Sequence, residues 1–269
     1  LTMDQTTQRL MSGAAGAGGD KLYVDDVFST YSYIGDGSNN KHIQNGVDLT
    51  EGGLVWIKTR LEASWHMLID SEWAMNNNSN WITSNNTGAY SGPVINSFDS
   101  NGFKLHSNWY ANQAKKYASW TFRKAPGFFD VVTYTGNGSN QTISHALEAK
   151  VGCIIIKNTY SSSDWYVWHR RSSNQYAYYW NLNSNAAEQN SSTIWNQVLP
   201  TSTHFSVGNF DGTNKNNETF VAYVFAEGTA SDAEIYGAGS DKSIINCGFY
   251  SGDGSNTGNH ITLGWEPQW

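Results

Sequence analysis

YTGNGSNQTI, Tyr134–Ile143, is one of three versions of a single phrase in this chain. YIGDGSNNKHI begins at Tyr33 and YSGDGSNTGNHI at Tyr250. The pairs Asp36-Gly37, Asn137-Gly138 and Asp253-Gly254 favour the positive φ angles of tight hairpin turns, so each phrase is expected to mark the first hairpin of a unit. Turn chemistry is preferred to calcium binding because each copy offers one Asp or none, whereas a calcium site needs several converging carboxylates.

The segments that follow the phrase recur in the same order. GLVWIK at Gly53–Lys58 aligns with GCIIIK at Gly152–Lys157, an offset of 99. WHMLID from Trp65 aligns with WYVWHR from Trp165, an offset of 100. Phe103 in GFKL aligns with Phe205 in HFSV at 102, and YASWTF from Tyr117 with FVAYVF from Phe220 at 103. Ordered landmarks that drift by so little are the mark of a duplicated unit. Short apolar runs, aromatic–small alternation and intervening Asn/Ser/Gly clusters predict seven or eight short strands per unit, with the YASWTF and FVAYVF strands burying one face. The expected fold is all-β: two tandem antiparallel β-sandwiches of jelly-roll or concanavalin A-like type, plus a partial third copy. The expected boundaries are a flexible arm at 1–20, one unit at 21–126, a second at 127–243 and the incomplete copy at 244–269.

After Tyr250 the phrase runs to Trp269 without the apolar strand that follows it elsewhere. Either the chain belongs to a longer polypeptide, or 244–269 is a terminal hairpin that needs a partner. In the second case Ile261, Leu263, Trp265 and Trp269 are the candidates for strand exchange with a neighbouring sheet edge.

Composition narrows the function. Charged residues make up 14% of the chain and the net charge is −7, with no basic cluster beyond Lys115-Lys116 and His169-Arg170-Arg171, so nucleic acid is not an expected partner. No apolar run reaches the roughly 20 residues of a membrane helix; the best is VGCIIIK at Val151–Lys157. The first 20 residues show no signal-peptide core. Cys153 and Cys247 sit in apolar, strand-like contexts and read as buried free thiols rather than a disulfide. Neither has the histidine company of a metal site, and no cofactor is expected.

Catalytic constellations are thin. His66 and Asp70 share a strand face, but the aligned copy places Tyr166 and Arg170 there. His169, with Asp164 and Arg170, is similarly isolated, and His145, His204 and His260 are expected in strand or turn positions with no second histidine nearby. No phosphate loop, nucleophile elbow or zinc helix occurs, so an enzyme is not expected. A polysaccharide-degrading enzyme would need two carboxylates converging from among Asp36, Asp70, Asp130, Asp164 and Asp211. Binding is the stronger expectation: Trp and Tyr beside Asn suit a sugar, whose apolar face stacks while its hydroxyls take amide hydrogen bonds. Trp73, Trp81, Trp109 and Trp180 are the candidate glycan- or partner-contacting residues. Trp56, Trp65, Trp120 and Trp165 read instead as core.

The stretches QRLMSGAAGAGGDKLYVDDVFSTY, YTGNGSNQTI, GLVWIK, SNGFKL, YASWTFRKAPGFFDVVTYTG and LGWEPQW resemble tandem modules of marine bacteriophage virion proteins, over nearly the whole chain. That resemblance implies a long structural or tail-fibre-type protein of the extracellular particle, built from concanavalin A-like sandwiches. Its partners would be further copies of itself and other virion subunits. It brings no catalytic residues. The alternative function is attachment to a host surface glycan.

Overall fold

A computed structural model describes residues 22–228 and 244–254, apart from 79, 91, 108 and 109. A one-turn helix, α1 (Val24–Val27), leads into nine strands: β1 (Phe28–Ile34), β2 (Lys41–Gln44), β3 (Gly53–Thr59), β4 (Met67–Asp70), β5 (Trp81–Thr83), β6 (Ala89–Tyr90), β7 (Ile95–Asp99), β8 (Gly102–Leu105) and β9 (Lys116–Arg123). Eight more follow: β10 (Phe129–Thr135), β11 (Gln141–Ser144), β12 (Val151–Asn158), β13 (Trp165–His169), β14 (Tyr178–Asn181), β15 (Gln189–Asn190), β16 (His204–Val207) and β17 (Thr219–Ala226), with a short helix α2 (Asp211–Asn214) before the last.

The duplication is written in the sheet order. One six-stranded sheet runs β1-β9-β3-β4-β5-β6 and the other β10-β17-β12-β13-β14-β15, position for position the same. Each is accompanied by a smaller sheet, β2-β8-β7 in the first unit and β11-β16 in the second. Every ladder is antiparallel, from Phe28 opposite Phe122 to Phe129 opposite Phe225. The chain is therefore all-β, with several antiparallel sheets packed in the general manner of a β-sandwich.

Three cores separate four layers. Val55, Ile57, Met67, Ile69, Trp81 and Tyr117 of the first large sheet meet Ile43, Ile95, Phe103 and Leu105 of its small sheet. Ile154, Ile156, Trp168, Phe220, Ala222 and Val224 meet Ile143, Phe205 and Val207 in the second unit. The third core lies between the two large sheets. There Phe28, Leu54, Leu68, Ile82 and Phe122 face Phe129, Val131, Trp165, Val221 and Tyr223.

That third core corrects the expectation of one buried face. β17 is buried from Phe220 to Val224 without a break, because alternate side chains enter the second and third cores. Alternation of aromatic with small residues here encodes two different packed surfaces. A second correction concerns register. Trp56 pairs with Leu68 and Ile155 with Val167, so the true offset at β4 and β13 is 99 rather than 100. Trp165 therefore stands where His66 does, and His169 where Asp70 does. A slip of one residue in a strand exchanges its faces.

The phrase of Tyr134 is not a hairpin either. β1 pairs with β9 and β2 with β8, so the phrase carries the chain from one sheet to the other. A buried asparagine 76 or 77 residues downstream holds it. Asn112 Oδ1 accepts from the Asp36 amide at 3.1 Å, while its Nδ2 donates to the carbonyls of Ser38 at 2.7 Å and His106 at 3.2 Å. Asn214 accepts from the Asn137 amide at 2.9 Å and donates to the carbonyls of Ser139 and Gly208. The phrase tyrosine completes the clamp. Tyr33 stacks on Tyr117 and donates to the Ala111 carbonyl, and Tyr134 stacks on Phe220 and donates to the Thr213 carbonyl. Gly35 and Gly136 are required because a Cβ at either would press into the backbone beside that asparagine.

Candidate functional site

Two places bring the chain's unusual residues together: the seam between the large sheets and a cleft at one end of the first unit.

The seam is polar as well as aromatic. Trp165, fully buried, donates its indole N–H to the carbonyls of Thr83 at 2.8 Å and Asn86 at 3.1 Å in the first unit. Lys157 is also fully buried, and its ammonium donates to the carbonyls of Thr87, Asn158 and Ser163 at 2.8–3.0 Å. Burial draws its pKa down to about 8, against the pull of Asp164. Lys58, the counterpart in the first unit, donates to the Thr59 and Glu62 carbonyls. The lysine is thus a repeated pin, and in the second unit it also reaches across to its neighbour.

Asp70 is buried at the same seam. It accepts from the amides of Glu72, Trp73 and Ala74 and from the hydroxyl of Tyr223. Burial raises its pKa, and these donors restrain the rise. Nearby, Lys124 bridges Glu72 at 2.9 Å and Asp130 at 3.3 Å. Asp36 is held by Lys41 and Ser38, and Asp164 by Asn181 and Asn183. These carboxylates are committed to structural bonds. Asp211 opens α2 and is exposed.

The cleft encloses about 340 Å³ and is lined by Thr59, Glu62, Ala63, Ser64, Trp65, Tyr110, Gln113, Lys115 and Tyr117. Its wall is aromatic. Trp65 and Tyr110 lie 5.5 Å apart between ring centroids, and buried Trp81 backs both, at 5.6 and 5.3 Å. Its rim is charged: Lys115 meets Glu62 at 2.9 Å. At the floor the Tyr117 hydroxyl accepts from the Gln113 amide. Antiparallel pairing puts the ends of β3 and β9 side by side, which brings Thr59 beside Tyr117 and sets the β3–β4 loop against the 110–115 loop.

The tryptophans expected at the surface are distributed otherwise. Trp81 is 2% exposed and belongs to the first core. Trp73 is partly buried against the first core and the seam. Trp180 is partly buried with its ring edge-on to His169. Trp109, Ile261, Leu263, Trp265 and Trp269 lie outside the described residues, as do the arm at 1–20 and most of the third copy. Trp56 and Trp120 are partly buried on the seam side, where their rings meet edge to face. Trp65, read from the sequence as core, is partly buried and lines the cleft. His66 accepts from the Trp56 indole rather than facing Asp70 as a dyad. Both cysteines are free thiols, and burial pushes the Cys247 thiol up to about 12. Among the described residues no three His, Cys, Asp or Glu side chains are grouped to hold a metal, and no helix is long and apolar enough to cross a membrane.

The chain belongs to a family described as a domain of unknown function (DUF7483), whose model matches residues 24–269. No curated protein and no solved structure matches it.

Proposed function

We propose that this chain is a non-enzymatic structural protein of a bacteriophage virion, in a tail fibre, appendage or capsid-associated position, whose work is self-association and docking on other virion subunits. Its two units are taken as tandem sandwiches of jelly-roll or concanavalin A-like type. The observation that carries the reading is the seam: a third core, closed by Trp165, Lys157 and the Tyr223–Asp70 bond, joins the units into one body. A body so joined transmits position from one end to the other, which an assembled particle requires. The buried acids and bases are bonded to backbone and to one another, as scaffolding. The motif resemblance to virion modules points the same way.

Immunogold labelling of purified particles with an antibody to this chain tests the reading. Regularly spaced label on the particle is expected. A chain abundant in infected cells and absent from particles would overturn it.

A further inference from the structure

The two units keep the residues that hold the fold and differ where the cleft lies. Asn112 and Asn214, Gly35 and Gly136, Tyr33 and Tyr134, and Lys58 and Lys157 are matched pairs with matched bonds. At the cleft the matching fails. Register matches Asp164 to Trp65 and Gly212 to Tyr110, and a Cβ at Gly212 would press into the rings of Tyr166 and Phe210. Ser161 stands for Glu62 and Glu218 for Lys115, and these two bond each other instead. The second unit fills the equivalent place with the rings of Tyr166, Tyr179 and Phe210 and the Lys215–Glu218 pair, whereas the first lines a cleft there with Trp65, Tyr110 and the Glu62–Lys115 pair.

We propose that this cleft binds a neutral pyranose, as the terminal residue of a surface glycan. Trp65 is partly buried and Tyr110 is 40% exposed, so both offer ring surface to the apolar C–H face of a sugar. Trp81 stiffens the pair from behind, which keeps the ordering cost of binding small. Glu62 supplies acceptors and Lys115 donors for adjacent hydroxyls. Because they lie 2.9 Å apart and compensate each other, the rim carries no net charge to select an acidic or basic sugar. The volume of about 340 Å³ sits at the small end of ligand pockets, in keeping with one or two sugar rings rather than a long chain. This site is independent of the assembly reading above.

The test is a glycan array followed by titration of the strongest neutral sugar into the full chain and into Trp65→Ala, Tyr110→Ser and Trp180→Ala, with each variant's melting temperature recorded. Binding to neutral pyranosides is expected, weakened about tenfold by either cleft variant and unchanged by Trp180→Ala. Should Trp65→Ala fail to fold, Tyr110→Ser decides, since that side chain is substantially exposed. No saccharide signal, a signal confined to acidic sugars, or affinity indifferent to both cleft variants would each overturn the proposal.

Discussion

The hydroxyl of Tyr223 donates to Oδ2 of Asp70 at 2.9 Å, joining β17 of the second unit to β4 of the first where neither is reached by solvent. Tyr223→Phe removes that donor and leaves a buried carboxylate with its three backbone amides. The expected loss is about 1.5–3 kcal/mol at pH 7, the size of a hydrogen bond to a charged group. The bond favours ionised Asp70, whose pKa burial has raised, so the loss should shrink as the pH falls below the carboxylate's titration. Urea unfolding of both proteins at pH 7 and pH 4 measures it.

Lys157 gives a pH dependence of the same sense in a more alkaline window. Its folded pKa of about 8 lies below the ordinary 10.5, so between those values the unfolded chain binds more protons than the folded one. The contribution of Lys157 to stability should therefore rise with pH across that window, by on the order of 3 kcal/mol at most. Cys153 and Cys247, and then Tyr33, Tyr134 and Tyr223, all raised by burial, oppose this as the pH passes their ordinary values within the same window. The difference in unfolding free energy between the parent chain and Lys157→Met, taken at pH 8, 9 and 10, should therefore grow in the parent's favour.

The asparagine clamps should be equally costly to break. Asn112→Ala and Asn214→Ala each remove at least three hydrogen bonds made by a buried side chain, and each is expected to lose about 2–3 kcal/mol. Gly35→Ala and Gly136→Ala drive a methyl into the same backbone and should be at least as damaging. Agreement between the paired variants, read from thermal melts, checks that the two phrases do the same work.

Much of this was legible in the sequence. The repeat, its offsets at Tyr33/Tyr134, Phe103/Phe205 and Tyr117/Phe220, and the all-β class follow from pattern alone. The clamp was not, because Asn112 sits some 76 residues from the phrase it holds, in a chain where asparagine is common. Its only trace is the recurrence of Asn112 and Asn214 at an offset that matches their neighbours. The seam is signalled only by FVAYVFA being apolar throughout, the run expected of a strand buried on both faces, and its alternation of large with small side chains mimics the period of a strand with one buried face. The slip at Trp165 followed from matching Trp to Trp. Identity suggested Trp65, whereas register assigns His66, and the indole that looked like a shared core residue became the key of the seam. The cleft escaped because its residues come from two loops that only β3–β9 pairing brings together.

The most direct test is differential scanning calorimetry of the whole chain. If the third core joins the units, they should melt in one transition, with calorimetric and van't Hoff enthalpies in agreement. Two separate transitions, with a Trp165→Ala substitution leaving both unmoved, would contradict the account and return the molecule to two independent sandwiches on one string.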